Sequence, residues 1–346
     1  MRALVYDDFA APPQVRAVPD PECPSGGAVI AVRSTGLCRS DWHGWVGHDH
    51  DITPPHIPGH ELAGELVAVG PRVTGWTIGT RVTVPFVCAC GQCPTCRRGE
   101  GQVCDVQFQP GFTAPGSFAE FVAIDHAAVN LVRIPDEVGD DAAAALGCRF
   151  ATAYRAVTHH GRPAPGQWVA VHGSGGVGLS VIMIAVAADA RVVAVDVSPA
   201  ARELARELGA EVTLDGADPG VAEQIRAITG GGAAVSLDAF GSAGTCAASV
   251  RSLRKRGRHV QIGLLLGADS APPVPMAEVI SRELELYGSH GLAAVDYPAL
   301  LTELTTGRLQ PDRLIRRHLT LDEAGPALVE LGTPDGAGPG VTMIHP

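Results

Sequence analysis

The spacing of apolar residues divides the chain into two kinds of segment. Up to about residue 145, apolar and polar residues alternate in short runs separated by Gly and Pro, as at 61–70, 81–87 and 117–124. A period of two is typical of β-strands that bury one face. From residue 136 to residue 157 the period becomes helical. The first part of the chain is therefore predicted to be β-rich and to end in a helix.

Beyond residue 165, buried strands and helices follow one another. Continuous apolar runs predict strands at 167–173, 190–196, 233–241, 258–265 and 283–291. The helical period predicts helices at 177–189, 199–210 and 244–257. This alternation predicts a parallel, doubly wound sheet of the α/β class. After about residue 291 one more helix is expected, at 296–309, and the rest of the tail shows no strand and helix rhythm.

Composition and charge narrow the class of protein. With 346 residues, 46% of them hydrophobic, the chain is long enough for two domains. Its formal charge of −11 argues against a nucleic-acid partner. The one basic run, 251–260, is interpreted as the end of a helix that closes at Gly257, where cations favour the helix dipole. No export signal is visible, and the longest apolar run, 181–188, is too short to span a bilayer. A cytoplasmic protein without a membrane partner is expected.

A glycine-rich segment directly follows the predicted strand at 167–173. Gly173, Gly175 and Gly178 have the spacing G-x-G-x-x-G at the start of a predicted helix, the arrangement that lets a pyrophosphate approach backbone N–H groups. Asp196 ends the next strand and suits a ribose diol, which favours NAD over NADP. The alternative is an ordinary glycine-rich turn with a strand-end aspartate. The predicted cofactor residues are Gly173, Gly175, Gly176, Val177, Gly178 and Asp196.

Five cysteines lie between residues 88 and 104. Four of them have the spacing C-x2-C-x2-C-x7-C, and these are Cys90, Cys93, Cys96 and Cys104. Four thiolates this close fit one tetrahedral zinc and leave no open position, so the site is predicted to be structural. An iron–sulfur cluster is the alternative, but the chain has no second redox motif. Cys88 is interpreted as a free core or loop cysteine beside a complete set, and exchange with one of the four ligands is the alternative.

The remaining candidates are Cys38, His60 and Cys148, and each alone is equally explained as a buried core residue. Their surroundings resemble the zinc-dependent alcohol dehydrogenases of the medium-chain dehydrogenase/reductase superfamily over nearly the whole chain. The motifs that carry the resemblance, in the family's order, are GLCRSDWH (36–43), PGHELAGELVAVG (58–70), CGQCPTCRRGEGQVC (90–104), GSFAEFV (116–122), LGCRFATAYRA (146–156) and GSGGVGLS (173–180).

The resemblance implies a fold and a domain arrangement. A Rossmann NAD-binding domain at 150–290, with a doubly wound parallel sheet, would interrupt a GroES-like β-rich catalytic domain formed by 1–149 and 291–346. It also implies a homo-oligomer, with a tetramer favoured over a dimer.

The resemblance further implies two zinc ions per chain and bound NAD. Cys38, His60 and Cys148 would hold the catalytic zinc and leave a fourth position open, as a catalytic zinc requires. Asp41 matches the carboxylate that orients the ligating histidine. Glu61 matches the acid behind the zinc that approaches it during ligand exchange.

The motif at 36–43 also implies a proton path. Ser40 would hydrogen-bond the alcohol, and His43 would receive the proton by way of the nicotinamide ribose and pass it to solvent. Arg39 matches a contact to the cofactor pyrophosphate, and Phe86 a position that lines the substrate pocket. The implied reaction is hydride transfer between NAD(H) and an alcohol with its aldehyde or ketone, the alkoxide being stabilised by zinc. The alternative is a zinc-stabilised nucleotide-binding protein of the same fold without alcohol turnover.

Several features bear on the substrate and on departures from the family. Polyol dehydrogenases of the superfamily typically use glutamate as the third ligand, whereas Cys148 supports the alcohol dehydrogenase pattern. The last segment, 336–346, has no arginine where many relatives carry one, which leaves open any cofactor or glutamate contact made from the tail. His48, His50 and His56 are interpreted as part of a solvated polar loop; the alternatives are that they shape the pocket mouth or bind stray metal. The segments expected to shape the pocket are 42–58 and 263–276, and their apolar residues suggest a small or medium apolar alcohol or carbonyl substrate.

Overall fold

A computed structural model describes residues 1–333, 336 and 338–346 of the chain. It contains two compact units. Unit 1 consists of residues 1–151, 291–337 and 341–346, and unit 2 of residues 152–290 and 338–340. No helix in these described residues is both long and apolar enough to cross a membrane.

The strands and helices are numbered in chain order. The strands are β1 Arg2–Val5, β2 Gln14–Ala17, β3 Ala28–Leu37, β4 Leu62–Val69, β5 Arg81–Thr83, β6 Phe121–Ile124, β7 Val132–Arg133, β8 Trp168–His172, β9 Arg191–Asp196, β10 Val212–Asp215, β11 Ala233–Asp238, β12 Leu253–Gln261, β13 Glu285–Gly288, β14 Ile315–Thr320 and β15 Val341–His345. The α-helices are α1 Arg39–Trp45, α2 Pro94–Arg97, α3 Ala127–Asn130, α4 Asp140–Ala145, α5 Ala151–Arg155, α6 Gly176–Ala187, α7 Pro199–Glu207, α8 Val221–Ile228, α9 Ala243–Arg251, α10 Met276–Arg282, α11 Tyr297–Thr305 and α12 Leu321–Glu330. Two π-helical segments, Leu146–Phe150 and Ala156–Gly161, flank α5.

Unit 1 is built on a mixed sheet. Its strand order is β14-β15-β3-β4-β5-β7, with β6 paired to β3, and β1 and β2 form a separate antiparallel pair. Strand β3 is central, and its apolar residues pack with those of β4, β5 and β6 into one core cluster. Cys38 directly follows this central strand, so the candidate site begins at the carboxyl end of β3.

Unit 2 is a parallel six-stranded sheet in the order β10-β9-β8-β11-β12-β13. Numbered from β8, this is the 3-2-1-4-5-6 order of a dinucleotide-binding fold, and it confirms the predicted doubly wound sheet. The order reverses between β8 and β11, and in such sheets ligands bind beyond the carboxyl ends of the strands at that point. The glycine loop follows β8 directly, so it lies at this position.

The basic run does not end a helix as predicted. Helix α9 stops at Arg251, and the basic residues 254–256 belong to β12, where they are exposed to solvent. The pairing of β11 with β12 is irregular here: Ala233 pairs with Leu253, but the next pair is Val235 with Arg258. The surplus residues therefore bulge from the strand, and the bulge places their charges in water.

Other boundaries differ from the predictions for local reasons. Strand β5 covers only 81–83 of the predicted 81–87, because Pro85 has no N–H to continue the ladder. The tail was predicted to lack a strand and helix rhythm, and this is wrong. Strands β14 and β15 are parallel neighbours with α12 between them in sequence, which is a strand–helix–strand unit.

Candidate functional site

The four clustered cysteines form a compact site in unit 1. The Sγ atoms of Cys90 and Cys96 are 4.0 Å apart, and those of Cys93 and Cys104 are 3.8 Å apart. Zinc–sulfur bonds of about 2.3 Å in a tetrahedron require sulfurs about 3.8 Å apart. Backbone N–H groups of Gln92 and Cys93 lower the pKa of the Cys90 thiol to about 7, which favours the thiolate that binds metal. The four sulfurs therefore fit a closed structural zinc site.

Cys88 lies outside this set. Its side chain is fully buried in the core cluster of the mixed sheet and donates to the Pro85 carbonyl at 3.4 Å. Burial raises the pKa of the Cys88 thiol far above its ordinary value. A neutral thiol in an apolar core is not a zinc ligand, so the interpretation of Cys88 as a core cysteine is confirmed.

A second group of metal-binding side chains converges at the end of β3. One ligand atom from each of Cys38, His60 and Cys148 lies within 4.8 Å of the other two. Cys38 precedes α1, His60 precedes β4, and Cys148 lies in the first π-helical segment. Cys38 and His60 are buried, whereas Cys148 is partly exposed. Three ligands with access from one side are the donor set of a catalytic zinc.

The buried imidazole of His60 indicates whether these three side chains fit a zinc ion. Within the described part of the chain its Nε2 atom is buried and has no hydrogen-bond partner. Such a nitrogen is costly unless something binds it, and a zinc ion shared with the two cysteines would do so. A hydrogen bond from the Cys148 thiol lowers the pKa of Cys38 well below its usual value, which favours the thiolate form that binds metal. The residues present therefore fit a zinc ion.

Asp41 holds two of these ligands in place. Its Oδ1 atom is 2.9 Å from His60 Nδ1 and accepts from the Gly59 N–H, while Oδ2 accepts from the Cys38 N–H at 2.9 Å. The carboxylate thus fixes the histidine tautomer with Nε2 available, as supporting carboxylates do in zinc sites. Burial alone would lower the pKa of His60, but the charge of Asp41 raises it well above the ordinary value, so a zinc ion must displace a proton from Nε2 when it binds.

Arg149 is a site residue that the sequence prediction missed. It is buried and pairs with Glu61: its backbone N–H donates to Oε1 at 2.9 Å, its Nε donates to Oε1 at 3.0 Å, and its terminal nitrogen donates to Oε2. It also donates to the Leu37 carbonyl at 3.0 Å. The pair joins the residue after His60 to the residue after Cys148. Its only signal in the sequence is an arginine within an otherwise apolar helical run.

Arg149 also answers whether Glu61 is contacted by an arginine although the C-terminal tail has no arginine near its end. A cation does contact Glu61, but it comes from the residue after Cys148. Space for the pair is made by glycines: a Cβ at Gly36 would lie 2.8 Å from the Arg149 guanidinium, and one at Gly147 would lie 2.8 Å from the Glu61 Cα. Burial raises the pKa of Glu61, and the Arg149 charge opposes that shift.

Aromatic rings surround the buried imidazole. The centroid of Phe86 is 6.2 Å from that of His60, edge-on, and the centroid of Phe112 is 5.0 Å away. The structure thus brings Phe86 next to a proposed ligand, and Phe112 is an addition that the sequence did not indicate. Both rings are almost fully buried and make this side of the site apolar.

Helix α1 carries the remaining residues of the motif at 36–43. Ser40 and His43 are both half-buried and stand three positions apart, on one face of the helix. The Nδ1 atoms of His43 and His48 are 3.0 Å apart. Burial, His48 and Arg39 lower the pKa of His43 to about 4, which keeps the ring neutral near pH 7. The guanidinium of Arg39 lies 5.6 Å from the centre of the Trp42 ring.

The histidines of the adjacent loop differ from one another. His48 and His50 are exposed, as a solvated loop requires. His56 is buried, and its Nε2 lies 2.9 Å from the Gly111 carbonyl oxygen. The prediction of a solvated position is therefore wrong for His56, because a backbone acceptor inside the unit satisfies its ring.

The glycine loop of unit 2 has the close approach that its motif predicts. Gly173 has φ of +92°, and a Cβ at Gly178 would lie 1.8 Å from the Gly173 carbonyl oxygen. Gly175 precedes α6, whose first two residues are Gly176 and Val177. The loop therefore presents a tight turn and a helix N-terminus, the arrangement that binds a pyrophosphate.

Asp196 lies at the end of β9, beside this loop. Its Oδ2 accepts from the Ser174 N–H at 2.6 Å, and its Oδ1 accepts from the Ser198 N–H at 2.8 Å. Each oxygen keeps a further lone pair, because a carboxylate has about four acceptor positions. The side chain is thus held in one orientation and still has acceptors for a ribose diol.

His172, the last residue of β8, gives unit 2 a pH-dependent stability. Burial and then His259 lower the pKa of His172 to about 3. The unfolded chain binds the proton below pH 6.5 and the folded unit does not, so stability is complete above pH 6.5 and is lost as the pH falls towards 3. Between pH 7 and pH 5 the loss is about 2 kcal/mol. In His172→Leu this part of the acid sensitivity should be absent, measured as the difference between variant and wild-type urea unfolding at the two pH values. Equal pH dependence of both proteins would contradict a neutral buried imidazole.

Comparisons with known proteins agree with this geometry. A family model described as "Zinc-binding dehydrogenase" matches residues 176–306, and one described as "Alcohol dehydrogenase GroES-like domain" matches residues 24–136. An alcohol dehydrogenase of Geobacillus stearothermophilus is 34% identical over 84% of each chain. An L-threonine 3-dehydrogenase of Sinorhizobium medicae is 30% identical over 94% of each chain. The solved structure of the alcohol dehydrogenase TADH from Thermus sp. ATN1 matches with a TM-score of 0.91 and 30% identity, covering 100% of this chain and 99% of that one.

Proposed function

Because the chain belongs to the zinc-dependent alcohol dehydrogenase family, we propose that it transfers hydride between NAD(H) and a small alcohol with its aldehyde or ketone. It is an oxidoreductase of the medium-chain type. The observation that carries the proposal is the convergence of two thiols and a buried imidazole nitrogen on one partly exposed point in unit 1, where the described residues offer that nitrogen no hydrogen-bond partner. A structural zinc site is closed and needs no such access, and the four-cysteine cluster already supplies a site of that kind. The access therefore favours a catalytic role for the second site.

Each part of the chain then has a role. Residues 1–149 and 291–346 form the catalytic domain and hold two zinc ions, one with Cys38, His60 and Cys148 and one with the four clustered cysteines. Residues 150–290 form the NAD-binding domain, with the loop at 173–178 for the pyrophosphate. When bound, the zinc and NAD supply Lewis-acid stabilisation of the substrate oxygen and a hydride acceptor. Asp41 orients His60, Glu61 lies behind the metal ligands, and Arg39 is the candidate for a further contact to the pyrophosphate.

Ser40 and His43 are proposed to move the proton of the alcohol. Ser40 accepts the hydrogen bond of the substrate hydroxyl, and His43 takes the proton onward on the same face of α1. The 3.0 Å contact with exposed His48 gives His43 an exit to solvent. Ser40→Ala should therefore lower kcat by about 10²- to 10⁴-fold while zinc content stays at two per chain. Unchanged kcat at all pH values would rule out this path.

Asp196 is proposed to select NAD over NADP. Hydrogen bonds to a charged group are worth about 1.5–3 kcal/mol, so Asp196→Ala should reduce the kcat/KM preference for NAD by roughly 10- to 100-fold. Asp196→Asn is the matched variant, since it keeps the shape of the side chain and removes its charge. Retention of the wild-type cofactor ratio in both variants would contradict a ribose contact.

The proposed substrates are small or medium apolar alcohols and carbonyls. Phe86 and Phe112 beside His60 favour an apolar substrate carbon over a polyol. Reduction of NAD and NADP should be followed in parallel across primary, secondary, aromatic and polyol substrates. Turnover of an apolar alcohol with NAD is expected. No turnover of any substrate in the panel, by protein with two zinc ions per chain and NAD bound, would contradict the proposed function.

We further propose a cytoplasmic homo-oligomer, with a tetramer favoured over a dimer. Clustered thiolates that bind zinc are favoured in a reducing compartment, and all nine cysteines, which lie in the described residues, are free thiols there. Light scattering on the purified protein should give a mass near four times the 35.7 kDa chain. A monomeric mass would contradict this assembly.

A further inference from the structure

Unit 1 contains a third convergence of metal-binding side chains, which shares no residue with the two cysteine sites. Asp141 is in the first turn of α4, His318 is in β14, and His345 ends β15. One ligand atom from each lies within 4.8 Å of the other two. Three elements that are remote in sequence thus bring two imidazoles to one carboxylate.

The distances within this cluster match those around a small divalent ion. His345 Nε2 is 2.8 Å from Asp141 Oδ1, and His318 Nδ1 is 3.5 Å from Asp141 Oδ2. Nitrogen and oxygen ligands at about 2.0–2.2 Å from a tetrahedral ion lie roughly 3.3–3.6 Å apart. The His318 separation lies within that range, and the His345 separation is shorter. Only a small shift of His345 away from the carboxylate is needed to place an ion between them.

The backbone fixes this arrangement. In the parallel pair β14 and β15, Thr320 is opposite His345 and His318 is opposite Met343, so the two histidines share one face of the sheet. Their rings are stacked, with centroids 5.4 Å apart and planes 26° apart. The Asp141 carboxylate is also held in place, because the Ser34 hydroxyl donates to its Oδ1 atom at 2.5 Å. The three ligands are therefore positioned before any ion binds.

The surroundings favour a cation that retains water. The side chains of His318, His345 and Asp141 are 54%, 45% and 26% exposed, which leaves room for water as further ligands. The negative charge of Asp141 is also felt by another carboxyl group, because burial and then the Asp141 charge raise the pKa of Asp312. A divalent cation bound at Asp141 would reduce that repulsion.

We propose that Asp141, His318 and His345 form a third metal site, which binds one divalent ion of the zinc class. Imidazole and carboxylate together suit Zn²⁺, Ni²⁺ or Co²⁺ better than Ca²⁺ or Mg²⁺. The ion joins the start of α4 to the ends of β14 and β15. Because the segment after α4 carries Cys148 and Arg149, the ion braces the helix that leads to the proposed catalytic ligands.

The test uses the intact protein with two zinc ions per chain, titrated with Zn²⁺ by calorimetry. One further equivalent is expected in the wild type. His318→Ala, His345→Ala and Asp141→Asn should each weaken its binding at least tenfold, while His159→Gln, a change of an exposed histidine in unit 2, should not. Absence of a third equivalent in the wild type overturns the proposal. Undiminished binding in His318→Ala/His345→Ala also overturns it and places the ion elsewhere, for example at His43 and His48.

A measurement on the wild type covers the case in which a variant fails to fold. Co²⁺ added to the protein with two zinc ions should bind without thiolate-to-metal charge-transfer absorption, because this site offers only nitrogen and oxygen. Bound Co²⁺ with that absorption would mean that the ion entered a cysteine site, which contradicts a third site. The added ion should also raise the Tm of the wild type, since it binds only the folded protein.

Discussion

The Cys148→Ala variant is expected to contain one zinc ion per chain in place of two. Its kcat/KM should be lower than that of the wild type by a factor of about 10³ or more. A catalytic zinc supplies several kcal/mol of charge stabilisation, and about 4 kcal/mol corresponds to this factor. Removing one thiolate leaves Cys38 and His60, which are too few protein ligands to hold the ion against water. Metal analysis and alcohol oxidation with NAD measure the two effects separately.

A cysteine outside both proposed zinc sites provides the control. Cys88→Ala removes a thiol from the core of the same unit and should leave both zinc ions and the activity in place. The four-cysteine ion should remain in Cys148→Ala, because its sulfurs lie on a separate loop. Two zinc ions and full turnover in Cys148→Ala would contradict the assignment of the catalytic ligands.

Contiguous motifs account for most of what the sequence predicted correctly. The glycine loop and the four-cysteine loop each lie within a few residues, so their spacing alone determines the turn and the ligand set. The set of Cys38, His60 and Cys148 spans more than a hundred residues, and no spacing rule relates its members. These three were grouped by resemblance to a family, and the structure brings them together.

Long-range pairing explains what the sequence did not predict. Arg149 and Glu61 are 88 residues apart, and their contact depends on the packing of a π-helical segment against the start of β4. Similarly, Asp141 meets His345 across 204 residues. In the run 251–260, the residues are good helix formers, but pairing with β11 overrides that preference and makes a bulged strand. Tertiary contacts of this kind leave no periodic signal in a single sequence.

The pair of Arg149 and Glu61 is expected to give the largest effect of any single charge on stability. Both side chains are buried, so Arg149→Met leaves an uncompensated carboxylate inside unit 1 and should lower the free energy of unfolding by about 3–5 kcal/mol. Because these residues adjoin His60 and Cys148, the variant should also lose its catalytic zinc more readily to a chelator. Urea unfolding followed by fluorescence reports mainly on unit 1, which contains Trp42, Trp45 and Trp76.

The double variant Arg149→Met/Glu61→Gln separates loss of pairing from loss of packing. Removing the second charge relieves the unpaired carboxylate, so the double variant should recover at least half of the stability lost in Arg149→Met. Arg256→Met is the matched control, because its pair with Glu283 is exposed and surface pairs contribute little. Equal unfolding midpoints for Arg149→Met and Arg256→Met would show that the buried pair contributes nothing. A double variant no more stable than Arg149→Met would show that Arg149 acts through packing alone. It would contradict the idea that the charge pair joins the segment after His60 to the segment after Cys148.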